Sequence, residues 1–201
     1  MQGQNMLYEI IKDAESLPST FLYKIKNGLA TLADEDKACT TPTYACYFAK
    51  HVKGANIEKC QEAACKDPEW AFEFARSVKG ANIEKCQKAA CKDIRYVYMF
   101  ALKIKGANTE KCEEAAYKEP WCAYKFALYI PGANVEKCEE GACKDPQSAY
   151  MFARDVKGAN IEKCQEEACK EPYWAYSFAK DIEGANIDKC RKACEGTKYA
   201  F

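Results

Sequence analysis

The strongest constraint on this chain is a unit of 26 residues that recurs without insertion from about Pro42 to the end. Gly-Ala-Asn marks each copy, opening at Gly54, Gly80, Gly106, Gly132, Gly158 and Gly184, and Lys-Cys follows from Lys59-Cys60 to Lys189-Cys190. An unbroken period of this length predicts a stacked array in which each unit buries its apolar face against the next. Such an array directs function toward a surface rather than a catalytic pocket.

One copy reads as two helices. In Pro68 to Asp93, Asp67 is the expected N-cap and Pro68 the first helical residue. Trp70, Ala71, Phe74, Ala75 and Val78 fall on one stripe. Gly80 is the expected left-handed stop and Asn82 the cap of the second helix. In that helix Ile83, Cys86 and Ala90 share a face, with Cys91 at its edge. Turns this short make antiparallel hairpins the simple solution. The predicted fold is therefore all-α, a right-handed α-solenoid of helix-turn-helix repeats.

Subtracting one period from Gly54 and Cys65 lands on Gly28 and Cys39, so residues 16–41 read as a degenerate first copy, with Leu32 and Asp34 replacing the standard Glu and Cys. An end copy faces water and is free to diverge. Residues 1–15, with Leu7, Ile10, Ile11 and Ala14 on one side, read as a capping helix, and 42–201 as six tandem repeats with a C-terminal cap.

Repetition supplies a substitution test inside one chain. Phe48, Phe74, Phe100, Phe126, Phe152 and Phe178 never vary, nor do the alanines that follow them, so both columns are expected in the core. A second aromatic column, Phe72, Tyr98, Tyr124, Tyr150 and Tyr176, preceded by Cys46, reads as inter-repeat packing with hydroxyls at the rim. The variable columns, those of Glu69, Glu73, Arg76 and Ser77, share a helix face. That face is polar in early copies, carries Met99, Leu102, Trp121, Leu128, Tyr129 and Met151 in the middle ones, and returns to Ser177, Lys180 and Asp181 in the last. An apolar patch on a polar face marks an interaction site, and Trp and Tyr are enriched where binding energy concentrates. These six residues are the expected partner site; self-association is the competing use of the same patch.

Fourteen cysteines in 201 residues raise the question of disulfides. Cys60 and Cys65 point about 140° apart on one helix. Equivalent cysteines of adjacent copies, such as Cys60 and Cys86, are expected about 8–10 Å apart, beyond the roughly 7 Å Cα reach of a disulfide. Tyr117 interrupts the column of Cys91 and Cys143. Reduced, structural cysteines are therefore expected, with disulfides or a metal the lesser reading.

No enzyme chemistry stands out. His51 is the single histidine and lies on the variable face. No Cys-x-x-Cys pair and no glycine-rich phosphate loop occur, so no catalytic residue, metal or cofactor is expected. The Glu58, Glu84, Glu110, Glu136 and Glu162 column beside its lysines reads as a solvated charge ladder. Lys and Arg together number 30, as do Asp and Glu, so no global basic field points to nucleic acid. A single-stranded nucleic-acid or nucleotide binder, using the Lys59-to-Lys189 and Lys66-to-Lys170 columns, is the second reading; a structural self-assembling element is the third. No apolar run reaches the roughly 18 residues of a membrane span, and the start lacks a signal pattern; a cytoplasmic protein is expected.

The unit resembles short two-helix α-solenoids, the class that includes HEAT-like repeats and leucine-rich repeat variants. The segments Lys66-Asp67-Pro68-Glu69-Trp70-Ala71-Phe72 and Val78-Lys79-Gly80-Ala81-Asn82 are similar to repeat proteins of bacteriophages. That resemblance implies a protein-binding phage accessory protein acting in the host cytoplasm, with inhibition of a host-defence component as one role.

Overall fold

A computed structural model describes residues 18–201. The capping helix expected at 1–15 lies outside the described residues. Among the described residues there are fourteen α-helices, one short 3-10 helix and no strand. They fall into two compact units, one ending at Ala90 and one running Cys91–Phe201. The first holds α1 (Pro18–Lys26), the 3-10 turn Leu32–Asp34, α2 (Glu35–Ala38), α3 (Pro42–His51), α4 (Ile57–Ala64), α5 (Pro68–Ser77) and α6 (Ile83–Ala90). The second holds α7 (Ile94–Lys103), α8 (Thr109–Ala116), α9 (Pro120–Tyr129), α10 (Val135–Ala142), α11 (Pro146–Asp155), α12 (Ile161–Ala168), α13 (Pro172–Asp181) and α14 (Ile187–Cys194).

Each copy from Pro42 onward is one helical hairpin. In every copy but the last, where Glu171 makes no such bond, the first helix starts where a side chain accepts a backbone N–H: Asp67 from Trp70 at 3.1 Å, Glu119 from Cys122 at 2.7 Å, Asp145 from Ser148 at 2.8 Å. Proline follows the cap in most copies, its missing N–H being one that no helix turn would satisfy. The third copy has Ile94 in that place, and Asp93 caps through the N–H of Arg95 at 3.0 Å. The second helix is capped by the repeated asparagine, as in Asn56 with Lys59 N–H at 3.1 Å and Asn134 with Lys137 N–H at 3.0 Å.

The glycine acts differently from the expected direct stop. The first helix ends at Ser77, and the backbone of the next residue, Val78, is extended (φ −103°, ψ 121°). Gly80 lies two residues on, with φ +86°, in a turn closed by the Ala81 N–H donating to the Val78 carbonyl at 3.4 Å. A positive φ at the third turn position is the type II signature, which favours Pro before the Gly; Pro131-Gly132 meets it in the fourth copy.

Within each unit the hairpin partners pack on each other, and successive first helices lie side by side: α3 on α5 in the first unit, α7, α9, α11 and α13 in order in the second. Every phenylalanine of the invariant column is fully buried, as expected. The alanine column beside it is a correction. Ala49, Ala75, Ala101, Ala127, Ala153 and Ala179 are only half-buried. The fully buried small column is Ala45, Ala71, Val97, Ala123, Ala149 and Ala175, because it, together with Phe, faces the hairpin partner.

A further link joins consecutive copies. The buried Gln61 amide donates to the Asn82 carbonyl and accepts the Asn82 N–H, both at 2.9 Å. Gln165 does the same to Asn186 at 2.6 and 2.9 Å. Glu113 and Glu139 fill the same column and accept the N–H of Asn134 (2.6 Å) and Asn160 (2.5 Å). In these copies one side chain thus clamps the Gly-Ala-Asn turn of the next, satisfying backbone groups that the turn leaves open.

All fourteen cysteines are free thiols. Contrary to the expected separation, some thiols do come close, across columns rather than within one helix or one column: the outer cysteine of one copy meets the inner cysteine of the next, 21 residues on.

Candidate functional site

All six residues of the predicted patch lie on first helices of the Cys91–Phe201 unit: Met99 and Leu102 on α7, Trp121, Leu128 and Tyr129 on α9, Met151 on α11. Leu102 is 40% exposed, Trp121 40% and Tyr129 45%, while Met99, Leu128 and Met151 are half-buried. Large side chains left in water at this level on adjacent helices form a surface on which a partner gains apolar contact area.

The patch has internal order. Tyr98 and Tyr129 stack with ring centroids 6.1 Å apart, joining α7 to α9. Trp121 and Tyr124 tilt together at 5.2 Å. Lys125 sits between Trp121 and Tyr129, four residues from each, and its Nζ lies 4.5 Å from the Trp121 ring centroid, 4.8 Å from Tyr124 and 5.4 Å from Tyr129. Its charge is held over three ring faces by their quadrupoles. Beside this group Ile94, Tyr98, Met99, Trp121 and Cys122 line a cleft of about 180 Å³, with Arg95 and Glu119 at its edge. Burial pushes the Cys122 thiol up to about 12, so this wall of the cleft stays neutral.

Met151 belongs elsewhere. It lines a second cleft of about 450 Å³ with Tyr150, Arg154, Tyr173, Trp174 and Tyr199. The structure therefore brings Met99, Trp121 and Tyr129 into one group, through Tyr98, and places Met151 in another. The last copy is a correction. Expected to return to polar residues, it carries Tyr173 at 47% and Tyr176 at 37% exposure. The tail reaches back over them: Tyr199 packs edge-on to Tyr173 at 5.5 Å, and Phe201 edge-on to Tyr176 at 5.5 Å. This cluster was legible in the density of rings at Tyr173, Trp174, Tyr176, Tyr199 and Phe201. Lys125 was legible too, being one helical turn from both Trp121 and Tyr129.

Beneath the surface the second aromatic column packs as expected except at its last member, Tyr176, which is exposed. Phe72, Tyr124 and Tyr150 are buried and Tyr98 is half-buried. The Tyr124 hydroxyl donates to Asp155 at 2.5 Å and the Tyr150 hydroxyl to Asp181 at 2.6 Å, each linking one copy to the next. Burial first, then the adjacent carboxylate, raises both phenols above their ordinary value. The Arg154 guanidinium, then the Tyr124 hydroxyl, holds the Asp155 carboxyl below its own. Base stacking requires free ring faces, and the faces of Tyr124 and Tyr150 are already occupied.

His51 is exposed and stacks on Tyr47 at 6.1 Å. Burial of its ring, followed by the charges of Lys50 and Lys26, lowers its pKa. The Glu58-to-Glu162 column is exposed, with Glu58 paired to Lys85 at 3.0 Å; pairs this exposed contribute little. Among the described residues no three His, Cys, Asp or Glu side chains gather as a metal site, and no helix is long and apolar enough to cross a membrane.

No protein-family model, curated protein or solved structure matches the chain.

Proposed function

We propose that this protein is a non-enzymatic helical-repeat scaffold that binds another protein through the aromatic face of its Cys91–Phe201 unit. The observation that carries the reading is the concentration of exposed Leu102, Trp121, Tyr129, Tyr173 and Tyr176 on the first helices of that unit. Aromatic anchors beside a cleft the size of one side chain are the chemistry of a binding hot spot. The partner supplies an apolar side chain to the cleft at Trp121 and carbonyl or carboxylate groups to Lys125. The resemblance to phage repeat proteins supports the narrower reading of an accessory protein that grips and inhibits a host-defence component.

The test is capture of partners from host lysate by the wild-type chain and by Trp121→Ala/Tyr129→Ala, with thermal melts of both. Expected is loss of a specific partner at an unchanged fold. Equal capture by the double variant overturns the site. A concentration-dependent rise in mass by light scattering, abolished by the same variant, assigns the face to self-association instead. Salt-sensitive binding of an oligonucleotide that survives the variant points to the lysine columns.

A further inference from the structure

The cysteines follow a rule finer than burial. Five copies carry an outer cysteine, and in each the position 21 residues later is an inner cysteine: Cys39 and Cys60, Cys65 and Cys86, Cys91 and Cys112, Cys143 and Cys164, Cys169 and Cys190. The sulfurs lie 3.7 Å apart in the first pair, 4.0 Å in Cys91–Cys112, 3.6 Å in Cys143–Cys164 and 3.8 Å in Cys169–Cys190. Cys65 and Cys86 are hydrogen-bonded to each other as well. Where the degenerate copy, 16–41, has Asp34 in the inner position, the residue 21 earlier is Asp13, so both members of that pair are missing together. The single mismatch is Tyr117, which stands opposite Cys138.

Space filling alone does not account for this. The inner cysteines are fully buried, but all five outer ones are half-exposed, where a core filler has little to gain. A reachable thiol against a buried one is the arrangement that thiol–disulfide exchange uses. A disulfide bond is about 2.05 Å long, so closure asks each sulfur to move about 1 Å, within the range of a χ1 adjustment.

We propose that these five pairs are disulfide sites that staple neighbouring copies together, at every junction that has both cysteines, when the protein meets a small-molecule disulfide oxidant. The outer thiolate attacks one sulfur of the oxidant, forming a mixed disulfide and releasing one small thiol. The inner thiolate then attacks the outer sulfur and releases the second. The two cysteines lose two electrons and two protons, and the oxidant leaves as two thiols. The Cys91 thiol, held below its ordinary value by its hydrogen bond with Cys112, supplies thiolate most readily. The pairs stay open in a reducing compartment and closed in an oxidising one.

The purified full chain is treated with oxidised glutathione, its remaining thiols are alkylated in denaturant, and non-reduced peptides are mapped by mass spectrometry. Expected are bridges at the five pairs, with Cys46, Cys122, Cys138 and Cys194 alkylated, and a higher melting temperature reversed by reductant. Tyr117→Cys sharpens the test by restoring the missing partner: a sixth bridge, to Cys138, is expected. Cys65→Ser removes only the bridge to Cys86. Fourteen alkylated cysteines after oxidation overturn the proposal, as do bridges within one helix or between random partners.

Discussion

The two units build the same hairpin and finish it differently. On α5 of the first unit the outward positions hold Glu73 and Arg76, paired at 2.6 Å, with the guanidinium 5.7 Å from the Phe72 ring centroid. On α9 of the second unit the same columns hold Lys125 and Leu128, with Trp121 and Tyr129 on either side. Beneath both, Phe74 and Phe126 are equally buried, as are Ala71 and Ala123. A repeated backbone separates two demands that compete in most folds. The inward columns answer to packing and stay constant, while the outward columns are free to become charged and solvated in one place and aromatic in another. The aromatic unit is therefore where a partner is sought.

The largest test of that comparison is core truncation on both sides. Phe74→Ala and Phe126→Ala are each expected to cost about 3–5 kcal/mol, measured by urea denaturation. A large cost in one unit with none in the other breaks the claim that the cores are equivalent. Next in size is the turn clamp. Gln61→Ala and Gln165→Ala each leave a turn N–H and carbonyl without the partner described here, for a loss of about 1–3 kcal/mol. Amide exchange at Asn82 and Asn186 should quicken in the respective variants; protected amides would show that the clamp contributes nothing.

The smallest effect sharpens what only the second unit has. Tyr124→Phe removes the hydroxyl bond to Asp155, for about 1 kcal/mol near neutral pH. The sign of its pH dependence follows from the two shifts. The raised phenol pKa of Tyr124 contributes stability that is full below the unfolded phenol value of about 10 and is lost as pH rises through the folded value. The lowered carboxyl pKa of Asp155 contributes stability that is full above the ordinary 3.8 and is lost as pH falls through the folded value. The stability gap between wild type and variant should thus be broadest between these limits and shrink outside them. A gap that stays constant from acid to alkali removes the hydroxyl–carboxylate link from the account.

Much of the molecule was legible before any coordinate. The gapless period set two helices per copy, because the spacing of Asp67, Pro68, Phe74, Gly80 and Asn82 satisfies start, core and turn at once. The exposed Trp121 and Tyr129 were legible because a column that varies between copies is under no packing demand. Other features were not. Gln61 reads as one more polar helix residue, yet it is buried, since its value lies in a turn belonging to the next copy. The density of rings at Tyr173, Tyr176, Tyr199 and Phe201 shows in the sequence, but that the tail folds back onto the last first helix does not.

By itself, then, the sequence determined what recurs every 26 residues: the helices, their caps and the invariant phenylalanine core, all of which depend on neighbours a few positions away. Only the tertiary structure decided what meets across copies, from the Gln61 clamp and the Tyr124–Asp155 bond to the thiol pairs 21 residues apart. The physical reason is the reach of the forces. Helix and turn preferences act within one or two turns of chain, whereas a hydrogen bond or a sulfur contact requires atoms within about 4 Å, and which columns come that close is set by how one hairpin settles on another.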